Sequence, residues 1–230
     1  MTPVERELAA IFVQTMDAHF PEGVGVTRDA YATTFRGILR EEVREAPALD
    51  TDQGTLATYV KLSVLALSMA RQLEGYGLSE REIGERIYRT ADAHFRLSPV
   101  RRRIKRTLFF SRLNRRQIQA RQEATERGTN GVNGFRLRYV EGTGADAFGV
   151  DYLACGIRLY FERRGMSVYA RYLCLVDYAI MANMGVAFRR TTTLADGGPM
   201  CDFRFAKSGP ITAGWPPDGL AEFRETPGKT

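Results

Sequence analysis

Histidine is nearly absent. The chain holds two, His19 and His94, each in an Asp-Ala-His-Phe setting near the end of an expected helix. There is no HExxH and no metal-spaced pair, and a Ser-His-Asp triad would have to use one of these lone imidazoles without a nucleophile elbow. A histidine at a helix C-terminus is accounted for by the helix dipole. Cysteine is scarce as well: three residues, widely spaced, with no CxxC. That excludes a disulfide framework and points to free thiols in a reducing compartment. The longest apolar run, "LSVLALSMA" at 62–70, falls far short of the roughly 20 residues of a membrane span. The N-terminus "MTPVERELAAIF" has no basic segment leading into an apolar one, so no secretory signal is read there. The expectation is a soluble, cytoplasmic protein with no membrane partner. "GTGADAFG" lacks both the P-loop lysine and the Rossmann glycine spacing, so no nucleotide loop is expected.

Acids are missing from one window. Between residues 101 and 121 lie nine bases and no Asp or Glu, whereas elsewhere 24 bases face 27 acids. The basicity is therefore local, and the net charge of +6 does not by itself imply nucleic-acid binding. Ile104, Leu108, Leu113 and Ile118 are the expected packing side of this basic helix. Phe109 and Phe110 could interleave for base stacking, but no nucleic-acid reader module accompanies them, and an anionic substrate or an acidic partner is equally open.

What is present suggests an α+β fold. The 44% hydrophobic content is enough for a sizeable core. "TPVE" has the capping-box form and opens a helix with Val4, Leu8, Ile11, Phe12 and Thr15 on one face. Further helices are expected from about 29 to 45, from about 54 to 76 and from Ser79, where "SERE" is a second capping box, followed by the basic helix from about 100 to 125. Ala46-Pro47 is an expected break, and Gly77 an expected helix stop. "RGTNGVNG" at 127–134 reads as a joint. "FRLRYVEG" then alternates as a strand, and two helices follow, from about 151 to 163 and from about 167 to 183. Two strands, "VAFRRTTTL" and "MCDFRF", joined by an Asp-Gly-Gly-Pro turn, close the pattern. The expected organisation is a helical region at 1–126, a β-α-α-β-β small-molecule-binding region at 127–207, and an irregular or frayed Pro/Gly-rich tail at 208–230.

One constellation could carry chemistry. Cys155 falls in the first of the C-terminal helices. Cys174 and Asp177 share a face of the second, extended by Tyr178 and Met181. Cys201 shares a strand side with Phe203 and Phe205, while Asp202 and Arg204 take the other, so the adjacent thiol and carboxylate cannot both enter one pocket unless a bulge intervenes. Spacing alone leaves two readings open: three buried structural thiols, or one reactive thiol. A zinc site from Cys155, Cys174, Cys201 and Asp177 lacks close ligand pairs, and no metal is expected.

These residues resemble the L-2-amino-thiazoline-4-carboxylic acid hydrolase family. The resemblance rests on Asp151 and Cys155, on Leu-Cys-x-x-Asp at Cys174 and Asp177, on Arg190, Thr193, Leu194 and Gly197, and on Cys-Asp-Phe-Arg-Phe at Cys201 to Phe205. It implies hydrolysis of a non-peptide C–N bond in a cyclic amidine, with ring opening to a carbamoyl-cysteine and no cofactor. Cys174, Asp177 and Cys201 are then the expected catalytic core, with Cys155, Arg190, Thr193 and Arg204 around the substrate. The implied roles are a cysteine nucleophile made reactive by a nearby cation, Asp177 as base or amidinium anchor, and Arg190 or Arg204 as a fork for the substrate carboxylate. Such an enzyme is expected to carry a thiol that alkylates rapidly at neutral pH. Two alternatives stand beside it. One is a non-catalytic small-molecule-binding domain similar to the 4-vinyl reductase type. The other is a relative in specialised metabolism acting on another amidine or imine. The expected partner is a small molecule rather than nucleic acid, and the sequence sets no oligomeric state.

Overall fold

The computed structural model describes residues 1–46, 55–127 and 135–224. The Gly/Asn-rich joint beyond Arg127, the break at Pro47 and the last six residues lie outside the described residues. The class is α+β, with helices first and a four-stranded antiparallel sheet in the C-terminal half. No described helix is long and apolar enough to cross a membrane. The chain divides into two compact units.

The first unit comprises residues 1–94 and 157–173. It contains α1 (Pro3–Gln14), α2 (Met16–His19), α3 (Arg28–Glu45), α4 (Thr55–Glu74) and α5 (Glu80–His94). To these it adds α8 (Gly156–Arg163) from Ile157 onward and the start of α9 (Ser167–Met184). Both expected capping boxes form. The Glu5 amide donates to Thr2 Oγ1 at 3.2 Å while Glu5 Oε2 accepts from the Thr2 amide at 3.1 Å. Glu82 does the same for Ser79, whose amide donates to Glu82 Oε2 at 2.8 Å. The apolar stripes meet in a core of Leu8, Phe12, Tyr31, Phe35, Leu39, Val64 and Leu67, with Phe12 and Phe35 stacked at 3.6 Å between centroids. A buried ionic knot fastens α3 to α8: Arg164 donates to both Glu42 oxygens at 2.9 Å, and the Tyr160 hydroxyl donates to Oε2 at 3.2 Å.

His19 departs from the dipole explanation. Its ring is fully buried, with Nε2 2.9 Å from the Phe12 carbonyl and Nδ1 3.1 Å from the Tyr31 hydroxyl. A carbonyl only accepts, so Nε2 carries a hydrogen. Burial pushes its pKa down to about 4 from 6.5, against the Phe12 hydrogen bond. The unfolded chain therefore takes up this proton at a higher pH than the folded chain does. Stability is full above about pH 6.5 and should fall by about 3 kcal/mol as the pH drops towards 4. Urea midpoints at neutral pH and at pH 4.5 test this, and His19→Gln should flatten the difference.

The second unit comprises residues 95–156 and the chain from Cys174 onward. It holds α6 (Pro99–Phe109), α7 (Arg112–Glu126), β1 (Arg136–Glu141), β2 (Asp146–Ala154), β3 (Ala187–Arg189), β4 (Cys201–Ala206) and the later part of α9. The sheet order is β1-β2-β4-β3, antiparallel throughout.

Four expectations change here. First, residues 151–154 belong to strand β2 rather than to a helix, so the order is β-β-α-α-β-β and Cys155 precedes α8 instead of lying in it. "GTGADAFG" supplies the β1–β2 turn, with Gly144 at φ 60°. Second, "VAFRRTTTL" is a strand only over Ala187–Arg189, and residues 190–200 form a loop. Third, the basic helix breaks at Phe110 and Ser111, and Ser111 Oγ caps α7 by accepting from the Asn114 amide at 3.2 Å. Ile104, Leu108 and Leu113 are exposed rather than packed, and only Ile118 of that set is buried. The helix is held through its cationic side instead. Arg102 Nη2 donates to the Ala182 carbonyl at 3.2 Å, Arg106 Nε to the Gly185 carbonyl at 2.9 Å, and Arg106 Nη2 to the Lys207 carbonyl. Phe109 packs 5.0 Å from Phe205 and 5.4 Å from Phe148. Fourth, the described tail is not frayed: Pro217–Gly219 forms a 3-10 turn, and Leu220 and Glu222 are buried.

Candidate active site

The later half of α9 carries Cys174, Asp177, Tyr178 and Met181, a spacing that places them along one helical face. Arg190 follows β3 directly, and its side chain is wholly buried. The guanidinium lies 5.2 Å from the Tyr178 and Phe203 ring centroids and 5.6 Å from that of Phe188. Its three nitrogens each find an acceptor. Nε donates to Glu222 Oε1 at 2.9 Å, Nη1 to Asp177 Oδ2 at 2.8 Å, and Nη2 to the Cys174 carbonyl at 2.7 Å. The Tyr178 hydroxyl donates to the same Glu222 oxygen at 2.6 Å, while Glu222 Oε2 is buried without a hydrogen-bond partner. One cation thus serves two carboxylates. Burial raises the Asp177 pKa, Arg190 opposes the rise and the Glu222 charge adds to it. The Asp177 side chain keeps 21% of its surface exposed, whereas Glu222 keeps 1%.

Arg190 was an expected fork for a substrate carboxylate. The structure commits each of its nitrogens to an internal acceptor, which makes it the organiser of Asp177 and Glu222 instead. Glu222 carried no sequence signal of its own, because the tail reads as Pro/Gly-rich. What could have pointed to it is the need of a buried arginine beside an acid for further acceptors.

The three thiols gather near this cluster. Charge on Cys155 would raise the pKa of both Cys174 and Cys201, and each of these also feels Asp177. Cys155 and Cys174 are partly exposed, while Cys201 is buried. Burial pushes the Cys174 thiol well above its usual range and outweighs the lowering effect of Arg190. Burial likewise pushes Cys201 up to about 12, although the Leu194 amide donates to its Sγ at 3.3 Å. Burial thus opposes the expected activation of either thiol by a cation. Alkylation of Cys201 by iodoacetamide at pH 7 should lag free cysteine by about 30-fold, because its thiolate is scarcer by about three decades and its greater nucleophilicity recovers about half of that on a log scale. Cys174, whose pKa is also raised by burial, should lag free cysteine too. Residue-resolved mass spectrometry at pH 7 and 9.5 measures this, with a steep rise expected at the higher pH.

The opposite face of the sheet carries a second network. β2 pairs with β4 so that Asp151 faces Asp202 and Gly149 faces Arg204. Arg204 Nη1 donates to Asp151 Oδ1 at 2.8 Å, and Arg138 Nη2 donates to Oδ2 of the same buried carboxylate at 2.6 Å. A Cβ on Gly149 would meet the Phe203 carbonyl oxygen at 2.6 Å and the Arg204 side chain at 2.9 Å, which explains the glycine. Strand alternation places Arg204 away from Cys201, so the structure does not join it to the Cys174–Asp177 cluster.

The side-by-side thiol and carboxylate of Cys201-Asp202 both clasp the 190–200 loop. Cys201 takes the Leu194 amide. Asp202 takes the Thr191 amide and hydroxyl at 2.8 and 2.6 Å and the Thr192 amide at 2.8 Å. Burial would raise the Asp202 pKa, but these hydrogen bonds prevail and hold it below the usual carboxylate range. Thr193, expected near the substrate, is buried and folds the same loop, donating from Oγ1 to Asp196 Oδ2 at 3.0 Å and accepting from the Asp196 amide at 3.1 Å. Among the described residues, no three His, Cys, Asp or Glu side chains are grouped to hold a metal ion.

The model of the L-2-amino-thiazoline-4-carboxylic acid hydrolase family matches residues 79–205. That span includes every cysteine, Asp177, Arg190 and Arg204, and ends short of Glu222. No curated protein and no solved structure matches the chain. With more than half of its length matched, the chain belongs to the L-2-amino-thiazoline-4-carboxylic acid hydrolase family.

Proposed function

We propose that this protein hydrolyses a C–N bond in a small cyclic amidine carboxylate of the 2-aminothiazoline type and opens the ring to a carbamoyl-cysteine. The observation that carries this reading is the pairing of a partly exposed Asp177, whose pKa burial raises, with Cys174 one helical turn away, Arg190 holding the Asp177 carboxylate and the Cys174 carbonyl. Arg190 takes Oδ2, so Oδ1 is the oxygen that meets the amidinium of the substrate. The positive charge of the substrate adds to the lowering effect of Arg190, and this reduces the cost of ionising Cys174 once the site is filled. Sulfur then bonds to the ring carbon between nitrogen and sulfur while the thiol proton passes to Asp177. Asp177 returns that proton to the ring nitrogen as the C–N bond breaks. Water adds at the same carbon, its oxygen stays with the product, and the thiol leaves with the proton. Cys201 serves by holding the 190–200 loop, and Cys155 lines the approach to the thiol.

The raised pKa values of Cys174 and Cys201 favour one other reading: a binding module that holds the amidinium on Asp177 without turnover. Incubating the purified full chain with L-2-aminothiazoline-4-carboxylate and following product mass distinguishes the two. A product heavier by one water is expected. A ligand-induced rise in Tm without product would assign the binding module. Neither product nor a Tm shift would overturn both.

A further inference from the structure

Helix α6 is held through Arg102, Arg106 and Phe109 and turns its aliphatic side outward. Val100, Ile104 and Leu108 recur every four residues and form one stripe, 69%, 54% and 60% exposed. Leu113, at the start of α7, is likewise exposed, at 65%. At helical spacing Arg101 and Lys105 fall on one side of the stripe and Arg103 on the other, all exposed, with exposed Arg112 and Arg116 beside Leu113. The opposite side is fixed by the Arg102, Arg106 and Phe109 contacts, so the stripe cannot roll inward without breaking them.

We propose that this surface docks peripherally on an anionic lipid bilayer, with the aliphatic stripe in the headgroup region and the flanking cations on lipid phosphates and carboxylates. Three features select this occupant. A second copy is disfavoured, because a symmetric contact would set cations against cations with no acid between residues 101 and 121. Nucleic acid is disfavoured because Phe109 and Phe110 turn inward onto Phe148 and offer no stacking platform, while the outward side chains are aliphatic. A folded protein partner needs about 800 Å² on each side, whereas four aliphatic side chains supply at most about 100 Å² each. A bilayer has no such threshold: shallow apolar insertion adds to the attraction of each cation near an anionic surface. The early expectation of no membrane partner rested on the lack of a spanning segment, and this mode needs none.

The test is co-sedimentation of the full chain with phosphatidylcholine vesicles, with and without about 30 mol% phosphatidylserine. Binding is expected only with the anionic lipid, with a loss of at least about tenfold in roughly 0.5 M salt. Ile104→Asn combined with Leu108→Asn should weaken binding at least about tenfold with an unchanged Tm, because both side chains are already in water in the free protein. Absence of binding to either vesicle overturns the proposal, as does full binding by the double variant, which would reduce the contact to charge alone. Capture of an acidic amphipathic peptide with no vesicle binding would overturn it in favour of a protein partner.

Discussion

Arg190→Met is expected to lower the unfolding free energy by about 3–5 kcal/mol. The substitution keeps an apolar stem among Tyr178, Phe188 and Phe203 and removes the charge that Asp177 and Glu222 share. Two carboxylates would then face each other out of water with no cation, and Glu222 already carries one orphaned oxygen. Arg190→Lys should fall between wild type and Met, since one ammonium cannot reach three divergent acceptors. The decisive control adds Asp177→Asn and Glu222→Gln to Arg190→Met. If the loss stems from stranded charge, the triple variant recovers much of it. If the loss is simply a packing defect, the triple variant stays as unstable as the single one. Urea denaturation followed by circular dichroism reads both.

The second large effect is on chemistry. Asp177→Asn should reduce kcat for ring opening by about 10²–10⁴-fold, the range associated with a proton-transfer group, and Cys174→Ala should do at least as much. Cys201→Ser should be milder, because a hydroxyl can still accept from the Leu194 amide. The pH profile separates proton handling from mere support. Asp177 must be ionised to act as base, and its pKa is raised, so the acid limb of kcat/KM should lie above the ordinary carboxylate range. Glu222→Gln removes a like charge beside it and should move that limb to lower pH. A limb that stays in place would show that the proton belongs to another group.

Helix ends were the most legible part of the fold. Thr2 with Glu5 and Ser79 with Glu82 announce helix starts through local hydrogen bonding, and the chain obeys. Strand β2 was not legible. Phe148, Val150 and Tyr152 alternate with Gly149 and Asp151, but the apolar pair Leu153-Ala154 ends the alternation before α8, so the second half of the strand merges with the helix pattern that follows. Helix α6 misled for a different reason. Its periodicity is sound, but which face turns inward was decided by Arg102 and Arg106 reaching carbonyls about 80 residues away. Within the site, the shared face of Cys174 and Asp177 followed from spacing. The internal use of Arg190 did not, since a buried guanidinium and a substrate clamp look alike in sequence. Glu222 was invisible because nothing local marks a lone acid in an irregular tail.

The reach of Glu222 back to Arg190 also has a consequence in time. The two residues are 32 positions apart, so at ribosomal rates Arg190 is made roughly 2–6 s before its partner. A unit of this size can fold within that interval. The nascent unit must therefore either delay its final packing or form around a cation with only one carboxylate in place. A chain interrupted between the two residues would remain in that state permanently. The segment that ends in Glu222 thus closes the charge balance around Arg190 last.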